Sequence, residues 1–196
     1  MRDCDFIEIV HRNPVNAKIL AGMSALGLAD AWLVSGCLFQ TVWNHLTGRP
    51  ICYGIKDYDL FYFDGADLSW DAEDRVIRRV SSGFAGLDAV IEVRNQARVH
   101  LWYEDKFGTP YPPLSSARDG IDRFLERTSK VGIRPLAEGG FQVYAPEGLD
   151  HISTMTVAPD CNRPHFSEAR YREKVARWQR YWPELRVVDE PQRQQS

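Results

Sequence analysis

Asp57 and Asp59 stand one residue apart at the head of "DYDLFYFD", a run that is otherwise aromatic and apolar. Side chains at i and i+2 of a strand project to the same face, so the two carboxylates are expected to be neighbours. Like charges held together are unfavourable unless a cation lies between them or one takes up a proton, and hard oxygen ligands of this kind suit Mg²⁺ or Mn²⁺. The other reading of such a pair is a solvent-exposed strand end, where each acid makes local turn hydrogen bonds. A third carboxylate, Glu92, sits inside the apolar run "AVIEVR", where a buried acid is costly unless it is paired or bound to metal. Asp88, four residues earlier on the same face, is its rival, with the character of a strand-start residue.

Phosphate chemistry has a candidate too. Gly36 ends one apolar run and opens a helix, a geometry that leaves free backbone N–H groups for an anion, and Ser35 beside it adds a hydroxyl donor. Just beyond Glu92, "RNQARVH" offers Arg94, Asn95, Gln96, Arg98 and His100 as substrate or phosphate contacts, Asn95 and His100 being the stronger candidates. The structural alternative is that Asn95 caps a helix and the arginines face water. Trp102, Tyr103 and Phe107 have the composition of core packing more than of a base-stacking platform.

These residues need elements to hold them. Asn13 before Pro14 reads as an N-cap with proline at the first helical position, opening a helix to about Leu28 through Val15, Ile19, Met23 and Leu26. "AWLVSG" reads as a strand, and "CLFQTVWNHLTG" returns to helical spacing. "DYDLFYFD" is the next strand, Ser69 caps a helix to about Phe84, and "LDAVIEVRN" is a third strand. "ARVHLWYEDKF" reads as one helix, and another starts near Ser115 or Ser116 and runs through Ile121, Phe124 and Leu125. Pro110, Pro112 and Pro113 predict an extended, stiff loop bordering a cleft. Glu138-Gly139-Gly140 is a hairpin turn between two strands. A last helix, capped by Ser167, carries Tyr171, Val175, Trp178 and Trp182 along one side and stops at Pro183.

The order Ser35-Gly36, helix, Asp57-x-Asp59 on a strand, then an acid on a later strand resembles the DNA polymerase β-like nucleotidyltransferase superfamily. The stretches "SGCLFQTVWNHLTG", "KDYDLFYFD", "EVRNQARVHLWYEDKFGTPYPPLSS", "TSKVGIR" and "APEGLDHI" look more closely like one bacterial family of nucleotidyltransferases, a likeness spanning roughly residues 15 to 185. It implies an α+β fold, a mixed β-sheet with flanking helices. It also implies a divalent-metal site at Asp57, Asp59 and Glu92, and a nucleoside triphosphate bound near Ser35 and Gly36. The chemistry implied is transfer of a nucleoside monophosphate to an acceptor hydroxyl. Two features depart from the superfamily pattern. Gly36 is followed by Cys37 where serine is usual, and the gap from Gly36 to Asp57 is long, with "RPICYGI" able to absorb it. A relative of the same fold that binds a nucleotide or protein and transfers nothing is the alternative; the altered glycine motif favours it, and the three acids favour the enzyme.

Composition bounds the rest. At 196 residues and 44% hydrophobic, the chain has enough for one real core, expected as a single domain over 1–186 with a polar tail at 187–196. A net charge of −3 names no partner. Between residues 163 and 186, seven Arg or Lys face three Glu, which would steer an RNA acceptor but is read as the solvated side of an amphipathic helix. The four cysteines show no CxxC pair and fit a reducing cytoplasm, and Asp3, Asp5 and Glu8 stand where a signal peptide would carry basic residues. Ile19–Phe39 carries a charge only at Asp30 but is diluted by glycine and serine, so it reads as helix plus strand with no membrane partner. The P-loop, Rossmann, zincin and α/β-hydrolase motifs are absent, and the five histidines are scattered.

Overall fold

The chain opens with a helix that the sequence reading does not anticipate, α1 (Asp3–His11), which buries Phe6 and Val10 and places Asp3 and Asp5 in its first turn, where the helix dipole favours them. The computed structural model describes residues 1–188, so most of the polar segment expected as a tail lies outside the described residues. α2 (Pro14–Gly22) is capped as its Asn-Pro start predicts: Asn13 Oδ1 accepts from the N–H groups of Val15 (3.0 Å) and Asn16 (3.3 Å). A 3₁₀ turn, Met23–Leu26, extends it before Gly27 turns left-handed at φ 58°. β1 (Trp32–Val34) then runs directly into α3 (Gly36–Leu46).

β2 (Tyr58–Tyr62), α4 (Trp70–Gly83, capped by Ser69) and β3 (Ile91–Asn95) form a β-α-β unit, the helix supplying the crossover that two parallel strands require. The segment expected as one helix after β3 is broken in two. A 3₁₀ turn over Gln96–Leu101, capped by Asn95, gives way at Trp102 (φ −131°) to α5 (Tyr103–Phe107). α6 (Ala117–Asp122) starts from Ser116 but stops short of Phe124 and Leu125. Phe124 leaves the helix to stack on Phe61, and the Leu125 carbonyl accepts from the N–H of Asp160. The predicted hairpin is β4 (Gly132–Pro135) with β5 (Phe141–Tyr144). α7 (Asp150–Ser153), β6 (Thr156–Val157), α8 (Glu168–Tyr181) and β7 (Arg186–Val187) follow, β6 and β7 pairing in parallel.

The result is an α+β fold around a mixed five-stranded sheet in the order β3-β2-β1-β4-β5, antiparallel except between β2 and β3. Strand alternation divides its faces. Leu33, Tyr58, Leu60, Tyr62, Val93 and Ile133 belong to the main core with α1, α2, α3 and α8. Trp32 and Val34 face the other way and pack with Ala117 and Ile121 of α6. Gly132 permits that contact, since a Cβ there would meet Ile121 Cδ1 at 2.7 Å. α8 is seated on α3 by aromatic edges: Trp43 meets Trp178 at 5.8 Å and Trp182 at 5.4 Å, and Trp182 Nε1 donates to Asn44 Oδ1 at 2.9 Å. No helix among the described residues is long and apolar enough to cross a membrane.

Candidate active site

Residues paired directly across strands share a face, and the register aligns Val34, Asp59 and Glu92 across β1, β2 and β3. Asp57, two residues before Asp59, projects to that same face. Phe61 and Arg94 follow one step further along. The three acids therefore share one sheet face, the face opposite the main core.

Their surroundings differ from the sequence expectation in one respect. Glu92 is not the buried acid: its side chain is 37% exposed and its Oε2 lies 3.5 Å from Arg94 Nη2, because β3 is an edge strand and this face is only partly covered there. Asp59, between two strands, carries the strain instead. Its carboxyl is pushed up to about 7 by burial first, then by the charges of Asp57 and Glu92, while Lys174 and Arg94 pull it back. It has no hydrogen-bond partner among the described residues. Asp57 is held by Lys56 Nζ at 3.1 Å.

Beside the acids lies the start of α3. Ser35 is 3% exposed and adopts φ 59°, ψ −120°, a backbone region costly for any residue with a Cβ. Its N–H donates to the Val131 carbonyl at 2.8 Å, and its own carbonyl accepts from Leu38 and Phe39. The N–H groups of Gly36 and Cys37 are the first of the helix and have no partner within it. Gly36 has ordinary helical φ, and the nearest atom to a Cβ built there is Gln40 Nε2 at 3.3 Å, so the fold itself tolerates a small side chain. Cys37 points inward, fully buried, its thiol donating weakly to the Val34 carbonyl at 3.5 Å. Burial, then the Asp59 charge, raises its pKa well above the ordinary thiol value, so it stays a neutral packing group.

The structure brings Asp57, Asp59, Glu92, Ser35 and Gly36 to one sheet face and helix start. It does not bring Asn95 or His100 there. Asn95 is on the opposite side of β3, and its amide is engaged in capping: Oδ1 accepts from Asp64 and Ala97 N–H, and Nδ2 donates to the Asp64 carbonyl at 2.8 Å. His100 lies in the 3₁₀ turn beyond, with Nδ1 buried and unpartnered, and does not line the cavity described next. Gln40, one turn beyond Gly36 and 4% exposed, brings its amide nitrogen beside the start of α3, a neighbour that the sequence reading passes over; its only signal is the i+4 spacing from Gly36.

A cavity of about 280 Å³ opens past Phe61 and Arg94. Trp102, Tyr103 and Phe107, expected as core, line it with Tyr111 of the proline loop. Arg170 and Lys174 of α8 line it too, so the basic edge of that helix is turned partly toward the site and not only toward water. Lys174 Nζ pairs with the buried Glu126 at 2.9 Å, and the Arg170 guanidinium lies 3.8 Å from the Phe107 ring centroid.

Three carboxylates of this kind form a hard-oxygen donor set suited in type to a divalent cation, and the unpartnered, mutually repelled Asp59 fits such a role. In the arrangement described, Lys56 and Arg94 draw Asp57 and Glu92 aside, and among the described residues no group of three or more potential ligands is gathered tightly enough to hold an ion.

Comparison with known proteins follows the same line. Residues 21–187 match a protein-family model described as Nucleotidyltransferase. No curated protein matches the chain. Among solved structures, an NMR structure described as revealing a CCA-adding enzyme head domain is 26% identical, with a TM-score of 0.76 over 96% of this chain and 97% of that one.

Proposed function

We propose, from the premise that this chain belongs to the nucleotidyltransferase family, that it moves a nucleoside monophosphate from a nucleoside triphosphate to an acceptor hydroxyl, with Mg²⁺ or Mn²⁺ at Asp57, Asp59 and Glu92. The observation that carries the reading is Asp59: half-buried, without a hydrogen bond, and repelled by two further acids on its own sheet face. Natural proteins keep such a group where a cation or a proton in transit compensates it.

The first N–H groups of α3 hold the triphosphate, helped by the Gln40 amide and the partial positive charge at the helix start. Asp59 on β2, Asp57 immediately before that strand and Glu92 on β3 are the residues that would hold the ion. A bound divalent ion supplies charge neutralisation on the phosphoryl oxygens and acidifies the attacking hydroxyl. Lys174 and Arg94 are the cations that offset the Asp59 charge, so the site is not wholly anionic. The acceptor oxygen bonds to the α-phosphorus as the bond to the oxygen bridging the α- and β-phosphates breaks, the hydroxyl proton passes to a site carboxylate or to water, and pyrophosphate leaves opposite the entering oxygen.

The test is mass spectrometry of cell extract incubated with the protein, Mg²⁺ and each of the four triphosphates. A component heavier by one nucleoside monophosphate, absent with Asp59→Asn, is the expected result. No new mass with any triphosphate, together with tight nucleotide binding, would favour a non-catalytic binding protein. The observation on that side is the pairing of Asp57 with Lys56 and Glu92 with Arg94.

A further inference from the structure

We propose that the cavity beside the acids holds the acceptor by a phosphate of its own, a claim resting on the nucleotidyltransferase reading above. Arg123 and Arg170 take the phosphate monoester of a small alcohol, and its far hydroxyl lies at the acids. Position comes first. β1 ends at Val34 opposite Asp59 and β2 runs antiparallel to it, so α3 begins on the Asp57 side of the site. Phe61 and Arg94 lie on the other side, one same-face step of roughly 7 Å beyond Asp59 and Glu92, and the cavity opens past them. In-line transfer needs the entering oxygen opposite the departing pyrophosphate. With the donor's phosphates at α3, the acceptor therefore comes from the cavity side. At about 280 Å³ the cavity is at the small end of ligand pockets, with room for one small molecule.

Charge decides what that molecule carries. Among the described residues, four cations and one carboxylate line the cavity. Lys174 is matched by that carboxylate, Glu126, at 2.9 Å, and Arg94 by Glu92 at 3.5 Å. Arg123 and Arg170 meet no carboxylate among the described residues, although both are half-buried. The Arg123 guanidinium lies over the Tyr111 ring at 5.2 Å and makes no hydrogen bond or ion pair among those residues. Arg170 lies over the Phe107 ring and donates Nη1 to the Tyr103 hydroxyl at 3.1 Å. The rings of Tyr111 and Tyr103, 4.3 Å apart, connect the two arginines. His165 registers the excess of positive charge. Its ring lies 5.3 Å from Tyr111, and burial first, then the charges of Arg123, Arg163 and Arg170, hold its pKa below the ordinary histidine value. Of those three, only Arg163 is answered by an acid, Asp160.

Two guanidinium charges without a counter-charge match a phosphate monoester, which carries about −1.5 to −2 at pH 7 and offers three acceptor oxygens to their forks. A carboxylate would leave one guanidinium unmatched. The Tyr103 hydroxyl, accepting from Arg170, keeps its own proton to donate to the same anion. The aromatic walls pack the carbon frame between phosphate and hydroxyl. These two groups stand at least roughly 7 Å apart in the acceptor, the length of the step from the acids to Arg94.

NMR titration of the whole chain with glucose 6-phosphate, whose 1-hydroxyl is at the far end of the sugar from its phosphate, decides the matter, alongside glucose, glucuronate and tripolyphosphate. Glucose 6-phosphate should shift the Nε–H signals of Arg123 and Arg170 and the ring protons of Tyr111, and bind at least about tenfold tighter than glucuronate; glucose should shift none of them. Arg123→Gln and Arg170→Gln should each weaken it at least about tenfold while tripolyphosphate, held at α3, stays within about threefold. Arg123→Lys, which keeps the charge, should lose less than Arg123→Gln. The glucuronate comparison needs no variant, so it stands even where a substitution destabilises the fold. Equal affinity for glucose 6-phosphate and glucuronate, or unmoved Arg123 and Arg170 signals, overturns the phosphate site. A 5′-phosphorylated dinucleotide binding at least about tenfold tighter than glucose 6-phosphate would assign the phosphate to a nucleic-acid end and overturn the small acceptor. If tripolyphosphate fails to bind while glucose 6-phosphate still shifts both arginines, the nucleotidyltransferase reading falls, and the acceptor role with it, but not the anion site.

Discussion

Asp59 bears the cost of burial and of two neighbouring acids, relieved by a proton at low pH and, on the reading above, by a metal at neutral pH. Its folded pKa of about 7 exceeds the ordinary 3.8, so between those values the native state holds a proton that the unfolded chain has released. Stability contributed through this group therefore falls as pH rises from about 4 to 7, with the full penalty above 7 and none below 4. Asn at this position has no such titration. The melting-temperature advantage of Asp59→Asn over wild type should widen across that window and then level off, and Mg²⁺ should narrow it at pH 8; a gap flat with pH would mean that Asp59 is penalised neither by burial nor by the neighbouring acids. Ser35 poses a different question, because its φ of 59° with ψ −120° suits glycine better. Relief of roughly 1 to 3 kcal/mol of strain, partly offset by the extra freedom of unfolded glycine, should leave Ser35→Gly at least as stable as wild type. Tripolyphosphate affinity should fall several-fold if the hydroxyl contacts phosphate, and a variant equal to wild type in both respects would remove Ser35 from the site.

At the scale of elements, what could be read in advance was whatever local chemistry determines. Asn13, Ser69, Ser116 and Ser167 cap helices where their positions predict, and the glycine pair at 139–140 turns the hairpin between β4 and β5. The placement of Asp57 and Asp59 on one face followed from strand alternation alone. The course of residues 96–125 did not, because tertiary partners divide it: Asn95 is tied to Asp64, and Phe124 stacks on Phe61 on the sheet face that α6 covers. Trp102, Tyr103 and Phe107 were legible as core and do pack in a small apolar cluster with Val99, Tyr111 and Leu114; that the same cluster also walls a cavity was not, since an aromatic side chain carries no local sign of it. Glu92 misled in the opposite sense: an acid in an apolar run looks buried, but an edge strand leaves it half in water. The start of α3 can be tested as an element. Gly36→Val should fold, since only the flexible Gln40 amide lies near the added carbon, yet lose tripolyphosphate binding. Cys37→Ser or Cys37→Ala, altering a side chain turned away from the phosphates, should stay within about threefold of wild-type affinity, roughly 0.7 kcal/mol. Normal binding by the Gly36 variant would move the phosphate elsewhere.

For the whole molecule, a net charge of −3 conceals a local excess of the opposite sign. Arg170, Lys174, Arg177 and Arg180 line one groove on α8, and Arg177 is close enough to Lys56 to be felt by it. Anion binding should therefore weaken as salt rises toward physiological strength, where fields from exposed charges reach only about 8 Å. Arg177→Gln should flatten that dependence without altering the melting temperature, and an unchanged salt slope would show that α8 exerts no field on the site. What keeps those cations in position is the seat of α8 on α3, where the Trp43 indole meets Trp178 at 81° and Trp182 at 66°. Chromophores packed so closely and held at fixed angles exchange excitation, which splits their strong far-ultraviolet indole band and gives the circular dichroism there a signed couplet. The protein thus carries an intrinsic optical gauge of whether its C-terminal helix is docked beside the phosphate-binding turn, readable without any label.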